Sequence, residues 1–284
     1  MTISETEREA LARARRIPAD ALGLGLRLPH QRAILETAPK LDYFEIISEN
    51  FLGPSPIPRR RLDEIRARYP VVMHGVGLNI LGHAPLDETY LDSLARLADE
   101  IDAPFVTDHL CWSGAHGRRH HDLLPTPYVP ELVEFAAERA HAVQKRLGRP
   151  FGLENLSSYV SFAESTMSEA EFHAAVVRSA GCWSLLDVNN IWVSSVNHGF
   201  DADDYLAHVD FSRVLHVHLA GHTREDDGTL VDTHDRAVTA DVWALYRRAW
   251  KRGGPFPTMI EWDANVPPLA DVLAEIEKIE EARA

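Results

Sequence analysis

Cysteine is nearly absent from this 284-residue chain: only Cys111 and Cys182 occur, in unrelated contexts. That excludes a disulfide framework and a paired-cysteine zinc site, and leaves reduced thiols as the expectation. Positive charge is also scarce. With 29 Lys and Arg against 43 Asp and Glu the formal net charge is -14, which opposes nonspecific attraction to nucleic acid or anionic membrane, so neither is expected as a partner. No apolar run approaches the length of a membrane span, and the opening MTISETEREALARARR lacks the apolar segment of a secretory signal, so a cytoplasmic location is expected. There is no Gly-x-x-x-x-Gly-Lys phosphate loop, no Gly-x-Ser-x-Gly nucleophile elbow and no strand-linked dinucleotide fingerprint; Gly23-Leu24-Gly25 alone does not make one.

What is present is an ordinary globular hydrophobic fraction of 45% and 15 histidines, several of them inside otherwise apolar runs. Short apolar stretches alternate with amphipathic ones and no low-complexity linker intervenes. The pattern predicts strands at Gly23-Arg27, Tyr43-Ile47, Val71-Gly75, Phe105-His109, Phe151-Asn155, Leu185-Val188, Val214-Leu219 and Thr258-Trp262. Helices are expected over Pro58-Tyr69, Glu88-Ile101, Val129-Leu147, Ser168-Ala180, Ala240-Arg252 and Pro268-Glu281, with a capping box from Ser168 to Glu171 and a stop at Gly253-Gly254. Gly53-Pro54-Ser55-Pro56 and Gly114-Ala115-His116-Gly117 read as loops. Strand-helix alternation of this length predicts an α/β fold, a TIM-type (β/α)8 barrel, as one domain over residues 21–284 behind a charged helical extension at 1–20.

Acidic and imidazole residues stand where the apolar runs end: VVMHG, FVTDHLCW, FGLENLSSY, LLDVNN, VLHVHLAGH, VDTHD and TMIEWD. In a parallel barrel those positions surround one mouth, and converging His, Asp and Glu supply mixed nitrogen and oxygen coordination for iron, manganese or zinc. His74, His109 and Glu154 make a first site, with Glu154 as candidate bridge because its two oxygens can serve neighbouring cations. Asp187, His218 and Glu261 make a second. Asp232 and His234, one residue apart, are expected on the same side of an extended loop and add a third ion or an open face. A lone histidine at a strand end is more often hydrogen-bonded than metal-bound, but six separate explanations would leave several buried ionisable groups to satisfy individually, at several kcal/mol each.

Other polar residues have competing roles. Glu45 and Glu49 either line the barrel mouth or bond a loop, and Asn190 is either a weak oxygen ligand or a backbone cap. His216 lies deeper under the metals or donates to a carbonyl; Asn155, His198 and His222 are candidates for contacts to substrate or around the ligands. Cys111 reads as a small buried hydrophobe, and Arg59-Arg60-Arg61 as a solvated helix start.

The ordered segments GLGLR, FEIISENF, HGVGLNI, TDHLCW, ENLSSY, LLDVNN with NHGF, HLAGH, DTHD and EWD, spanning about residues 20 to 265, resemble the signatures of the multinuclear non-heme iron-dependent oxidative enzymes. The resemblance implies a xylose-isomerase-like barrel holding two or three irons, which uses dioxygen to modify cysteine in a ribosomally synthesised precursor peptide. It implies His74, His109, Glu154, Asp187, His218, Asp232, His234 and Glu261 as metal positions. Asn190 stands where some members carry histidine, which weakens the expected third site. A separate partner protein that recruits the precursor's leader is implied as well. The alternatives from the residues alone are a metal-dependent hydrolase or isomerase on a related barrel, and a noncatalytic metal-dependent peptide-binding subunit.

Overall fold

Runs such as Tyr43-Phe44-Glu45-Ile46-Ile47 are too short for a helix and too apolar for a surface strand, and a parallel sheet covered on both faces is where such runs are buried. The computed structural model, which describes residues 5–53, 56–115 and 118–284, places them in a closed eight-stranded parallel barrel. In chain order the barrel strands are β1 Leu22–Gly25, β2 Tyr43–Ile47, β3 Val71–Gly75, β4 Val106–His109, β5 Phe151–Glu154, β6 Trp183–Asp187, β7 Val214–Leu219 and β8 Thr258–Ile260. Each strand pairs in parallel with the next, and β1 closes on β8.

The helices are α1 Glu5–Ala14, α2 Gln31–Thr37, α3 Glu49–Leu52, α4 Pro56–Arg66, α5 Glu88–Glu100, α6 Pro130–Leu147, α7 Glu169–Ala180, α8 Val188–His198, α9 Ala202–His208, α10 Ala240–Gly253 and α11 Leu269–Arg283. All eight expected strands are found within two residues of their predicted ends. Four short helices, α2, α3, α8 and α9, were not anticipated. Of these, α8 matters most, because β6 runs into it without a loop: Asp187 ends the strand and caps the helix, its Oδ1 accepting from Asn190 N at 2.6 Å. Gly114 and Ala115, read as loop, instead belong to a strand, Trp112–Ala115, of an antiparallel hairpin with Arg118–Leu124; His116 and Gly117 lie outside the described residues, as do Pro54 and Ser55.

Alternation along the strands sorts side chains into barrel interior and helix-facing exterior. Phe44, Ile46, Met73 and Val106 face outward into the main core against the helices. Tyr43, Val72, Phe105, Trp183, Leu215 and Met259 form a separate cluster, joined by Ile17 and Ala21 and contacted by Leu11 and Ala14 of the N-terminal segment. This apolar plug closes the end of the barrel where the strands begin. Two residues further along the same strands stand Glu45, His74, Thr107 and Glu261, so the interior changes from apolar to ionisable within one strand-length. Gly23 makes room for the plug, since a Cβ there would lie 2.4 Å from the Tyr43 ring.

The expected capping box is formed: Ser168 N donates to Glu171 Oε2 at 2.8 Å and Glu171 N donates to Ser168 Oγ at 3.3 Å. Ser168→Ala is therefore expected to cost about 1 kcal/mol of stability, read as a lower urea midpoint at unchanged slope; an unchanged midpoint would show that α7 is held by its packing alone.

Candidate metal centre

Register brings the strand-end ligands to one level. His109 on β4 is paired with Glu154 on β5, and Asp187 on β6 with His218 on β7. Three sets of ligand atoms, each within 4.8 Å of one another, result from the expected residues: His74, His109 and Glu154; Glu154, Asp187 and His218; and Asp187, His234 and Glu261. Glu154 belongs to the first two sets, as its candidate bridging role requires. Asp187 belongs to the last two, a second shared carboxylate that the sequence did not single out. The Nε2 atoms of His74 and His109 both lie 3.1 Å from Glu154 Oε2. His218 Nδ1 lies 4.0 Å from Glu154 Oε1 and 3.0 Å from Glu261 Oε2, and His234 Nδ1 is 3.3 Å from the same Glu261 oxygen.

Surrounding hydrogen bonds select the atoms that face inward. His109 Nδ1 contacts Gly75 O at 3.1 Å, and His74 Nδ1 contacts Thr107 Oγ1 at 2.9 Å, so both rings turn Nε2 to the centre. Arg27 Nη2 donates to Glu261 Oε1 at 2.9 Å and leaves Oε2 for the histidines, while Arg27 Nε holds Asp263 at 2.7 Å. Asn155 ties β5 to β6 by donating to Asp187 O and accepting from Asp187 N, each at 2.9 Å. Partners of this kind fix ring orientation and ligand basicity in metal proteins. Arg27 and Thr107 were not read from the sequence as contributors, because nothing in their local context separates them from ordinary strand residues.

The buried charges are only partly matched, by Arg27 against Glu261. Glu154 and Asp187 carry carboxyl groups pushed up by burial, Asp187 to about 7, and burial holds His74 well below its usual range and His109 down to about 4. For His218 burial is the largest influence and lowers the pKa, but Glu45 and Glu261 together outweigh it and raise it; for Glu261 the opposing cost of burial is outweighed by His218 and His234. Protons on His218 and His234 thus take the place of positive charge among the carboxylates. Glu154 Oε2, Asp187 Oδ2 and Asn190 Oδ1 are buried with no hydrogen-bond partner. Buried polar atoms are ordinarily satisfied, and a cluster of orphaned lone pairs at the mutual spacing of coordinating atoms fits cations of the kind that accept nitrogen and oxygen.

The remaining candidates fall into distinct places. Asp232 touches the edge of the third set: Oδ1 is 2.6 Å from His234 Nε2 and accepts from Asn189 Nδ2, and Oδ2 accepts from Ser157 Oγ. The loop carrying the pair is not simply extended, since His234 has φ 46°. Asn190 is not a cap; its Nδ2 donates to Glu154 Oε1 at 3.3 Å and Asn155 O at 3.0 Å. His222 reaches Asn189 at 2.8 Å and so connects to Asp232 at one remove, and His198 bonds Ser158. Glu49 is brought to none of the three sets: it accepts from Val76 N and Tyr90 Oη, the loop-bonding alternative. Glu45 does not line the mouth but lies buried beneath His218, beside His216. Arg59 is not merely solvated, since it pairs with Glu100.

Gly221 sets the position of His234. Its carbonyl accepts His234 N at 3.0 Å, and a Cβ on it would stand 2.4 Å from Arg236 O and 2.5 Å from Ala237 O, both backbone atoms. Gly221→Ala is expected to cost roughly 1–3 kcal/mol, as overpacking does, and to lower metal uptake at Asp187, His234 and Glu261 while sparing His74, His109 and Glu154. Wild-type melting and uptake together would show that the segment yields without consequence.

Solved structures similar to this chain share its barrel. A xylose isomerase domain protein from Alicyclobacillus acidocaldarius has a TM-score of 0.61 at 16% identity, covering 93% of this chain and 98% of the other. Endonuclease IV from Thermus thermophilus has a TM-score of 0.59 at 20% identity, with 93% and 98% covered. At these identities the likeness shows the fold, a xylose-isomerase-like TIM barrel. A UPF0276 protein from Caulobacter vibrioides is 47% identical over 261 residues, covering 92% of this chain and 93% of the relative, and one from Anaeromyxobacter is 46% identical over 263 residues, with 92% of each covered. The family model for the RiPP precursor modification enzyme MbnB/TglH/ChrH matches residues 21–284. A strand-end ring of shared carboxylates and imidazoles on this barrel therefore has a family, and the chain belongs to the MbnB/TglH/ChrH family of enzymes that modify ribosomally made precursor peptides.

Proposed function

We propose that the protein is a multinuclear iron-dependent oxidative enzyme, with residues 21–284 as its catalytic barrel and 1–20 as an extension, that uses dioxygen to modify cysteine residues of a precursor peptide. The observation carrying this reading is the set of three overlapping ligand groups in which Glu154 and Asp187 are each shared. His74, His109 and Glu154 would hold one ion; Glu154, Asp187 and His218 a second, with Asn190 against Glu154; Asp187, His234 and Glu261 a third, with Asp232 at its margin. Bound iron supplies one-electron chemistry toward dioxygen and affinity for a cysteine thiolate. The nitrogen and oxygen donors of the chain leave sulfur coordination to the substrate, since Cys111 lies outside the three groups.

The chain's own residues account for access and orientation. The side chains of His109 and His234 are 11% exposed and that of Asp232 15%, whereas His218 is 0% and Glu154 2%, so substrate approaches over His109, His234 and Asp232 while the shared carboxylate stays dry. Peptide binding is supported by apolar surface around the mouth. Leu28, Val76, Tyr159 and Val160, the exposed large hydrophobics among the described residues, each follow the C-terminal end of a barrel strand. A cavity of about 520 Å³ lined by Val160, Phe162, Met167, His198 and Phe200 adjoins the segment whose Ser157 bonds Asp232. A chain-like substrate with apolar side chains suits such a rim, and leader recruitment is assigned to a separate partner protein.

Anaerobically purified protein is expected to carry more than one iron per chain, and Glu154→Gln to lose at least one of them, because the amide keeps the volume but not the charge that two cations share. Elemental analysis and a melting curve on the same sample check this; full iron in Glu154→Gln, or zinc alone with activity kept after iron is stripped, would sink the assignment. A cysteine-bearing precursor peptide co-expressed with the protein should change mass only when dioxygen is supplied, and not when its cysteines are replaced by serine. The same product under strict anaerobiosis would favour hydrolysis or isomerisation.

A further inference from the structure

Beneath the three ligand groups lies another concentration of ionisable side chains with no assigned role. Glu45 on β2 is 1% exposed, and His216 on β7 is 0% exposed. Both Glu45 oxygens lie 3.2 Å from His218 Nε2, and Oε2 lies 3.4 Å from His216 Nε2. On the far side of His216, Nδ1 lies 3.4 Å from Tyr43 Oη, the polar tip of the apolar plug.

We infer that Glu45 is a positioning residue, which orients the His218 ring and fixes its proton on Nε2 so that Nδ1 presents a lone pair to the metal centre. This deepens the metal-centre reading and rests on it. The argument follows from what each group can donate. A carboxylate only accepts, so an imidazole nitrogen resting against Glu45 carries hydrogen. For His218 that nitrogen is Nε2; Nδ1, 3.0 Å from Glu261 Oε2 and 4.0 Å from Glu154 Oε1, is the atom turned toward the ligand groups, and a cation there would take the place of the hydrogen that Glu261 holds on it in the metal-free ring. His216 lies below on the same carboxylate, its Nε2 3.4 Å from Glu45 Oε2 at a distance too long for a formed hydrogen bond, with any hydrogen on it facing Glu45, and its Nδ1 then accepts from the Tyr43 hydroxyl. In the sequence Tyr43, His216, Glu45, His218, hydrogen thus points toward the carboxylate from both sides.

His74 and His109 solve the same problem differently, since each gives Nδ1 to a neutral oxygen and turns Nε2 inward. His218 alone of the three is backed by a carboxylate, which makes its ring the more basic donor, and it belongs to the group between the two shared carboxylates.

Glu45, His216 and His218 also have ligand atoms close enough to hold an ion themselves. Two observations count against that role. His218 Nε2 would have to bind one ion while Nδ1 binds another, and the group rests below on Tyr43 and Phe105, both 0% exposed members of the apolar plug. The carboxylate as an orienting acceptor accounts for the same distances without an extra ion.

The test is titration of the full-length, metal-stripped protein with ferrous iron under anaerobic conditions, against a competing chelator, for wild type, Glu45→Ala, Glu45→Gln and His216→Ala. Glu45→Ala is expected to weaken one ion by roughly 10- to 100-fold, as loss of a partner behind a ligand does, and to leave the tightest remaining site unchanged. Glu45→Gln, which keeps an acceptor oxygen at the same volume, should recover part of the loss, and His216→Ala should keep the wild-type ion count. Melting curves of the metal-free proteins identify any variant that fails to fold, in which case the Glu45→Gln affinity decides. Wild-type affinity at every site in Glu45→Ala, or in Glu45→Gln where that variant decides, overturns the inference while the metal centre stands. Loss of one whole ion in both Glu45→Ala and His216→Ala overturns it in favour of direct ligation, and a wild-type protein that takes up no iron overturns the centre and the inference together.

Discussion

The constraint on which this structure depends is the cost of keeping ionised groups out of water. Glu45, Glu154, Asp187 and Glu261 converge with His74, His109, His216 and His218 in a barrel interior where each is at most 9% exposed. Uncompensated, such groups cost several kcal/mol apiece, and the protein compensates them only in part: Arg27 is the guanidinium held against Glu261. The rest of the balance falls to protons on His218 and His234, or to the cations that the orphaned atoms fit. Proteins do not bury repeated acids at one point for stability, because well-packed apolar residues do that better.

The barrel makes this concentration tolerable by separating the two tasks of its interior. Near the strand starts Tyr43, Val72, Phe105 and Met259 fill the bore like an ordinary core. Two positions further along, or four for His109, the pleat brings Glu45, His74, His109 and Glu261 onto the same inward face. Packing density is thus supplied at one end and chemistry at the other, and parallel pairing keeps every strand's C-terminal end at the same mouth.

Orientation is imposed from outside the ligand ring. Gly75 O and Thr107 turn His109 and His74, Arg27 engages one oxygen of Glu261, and helix α8 engages one oxygen of Asp187. In each case one polar atom of a side chain is occupied and the other is left facing the centre. Flanking loops then decide what can reach that centre, with Tyr159, Val160 and the cavity behind them giving an apolar approach.

The sequence by itself determined the eight strands, the outer helices and the capping box, because burial period and cap chemistry are local properties. It also determined that His74, His109, Glu154, Asp187, His218, His234 and Glu261 belong together, since position at a strand end implies position at one mouth. It did not reveal α8, whose first residues directly continue an apolar strand, and so it left Asn190 between cap and ligand when its amide in fact reaches Glu154. Nor could it settle Glu45 and Glu49, four residues apart in one motif: the closing of β2 against β1 and β3 sends Glu45 under His218, while Glu49 begins α3 and bonds the loop at Val76. The pairing of Arg27 with Glu261 spans 234 residues, and the sharing of Asp187 between two ligand groups depends on the approach of β6, β7 and the segment after β7. Such contacts are decided only by tertiary structure, because closure of the barrel, not spacing along the chain, sets which distant polar atoms meet.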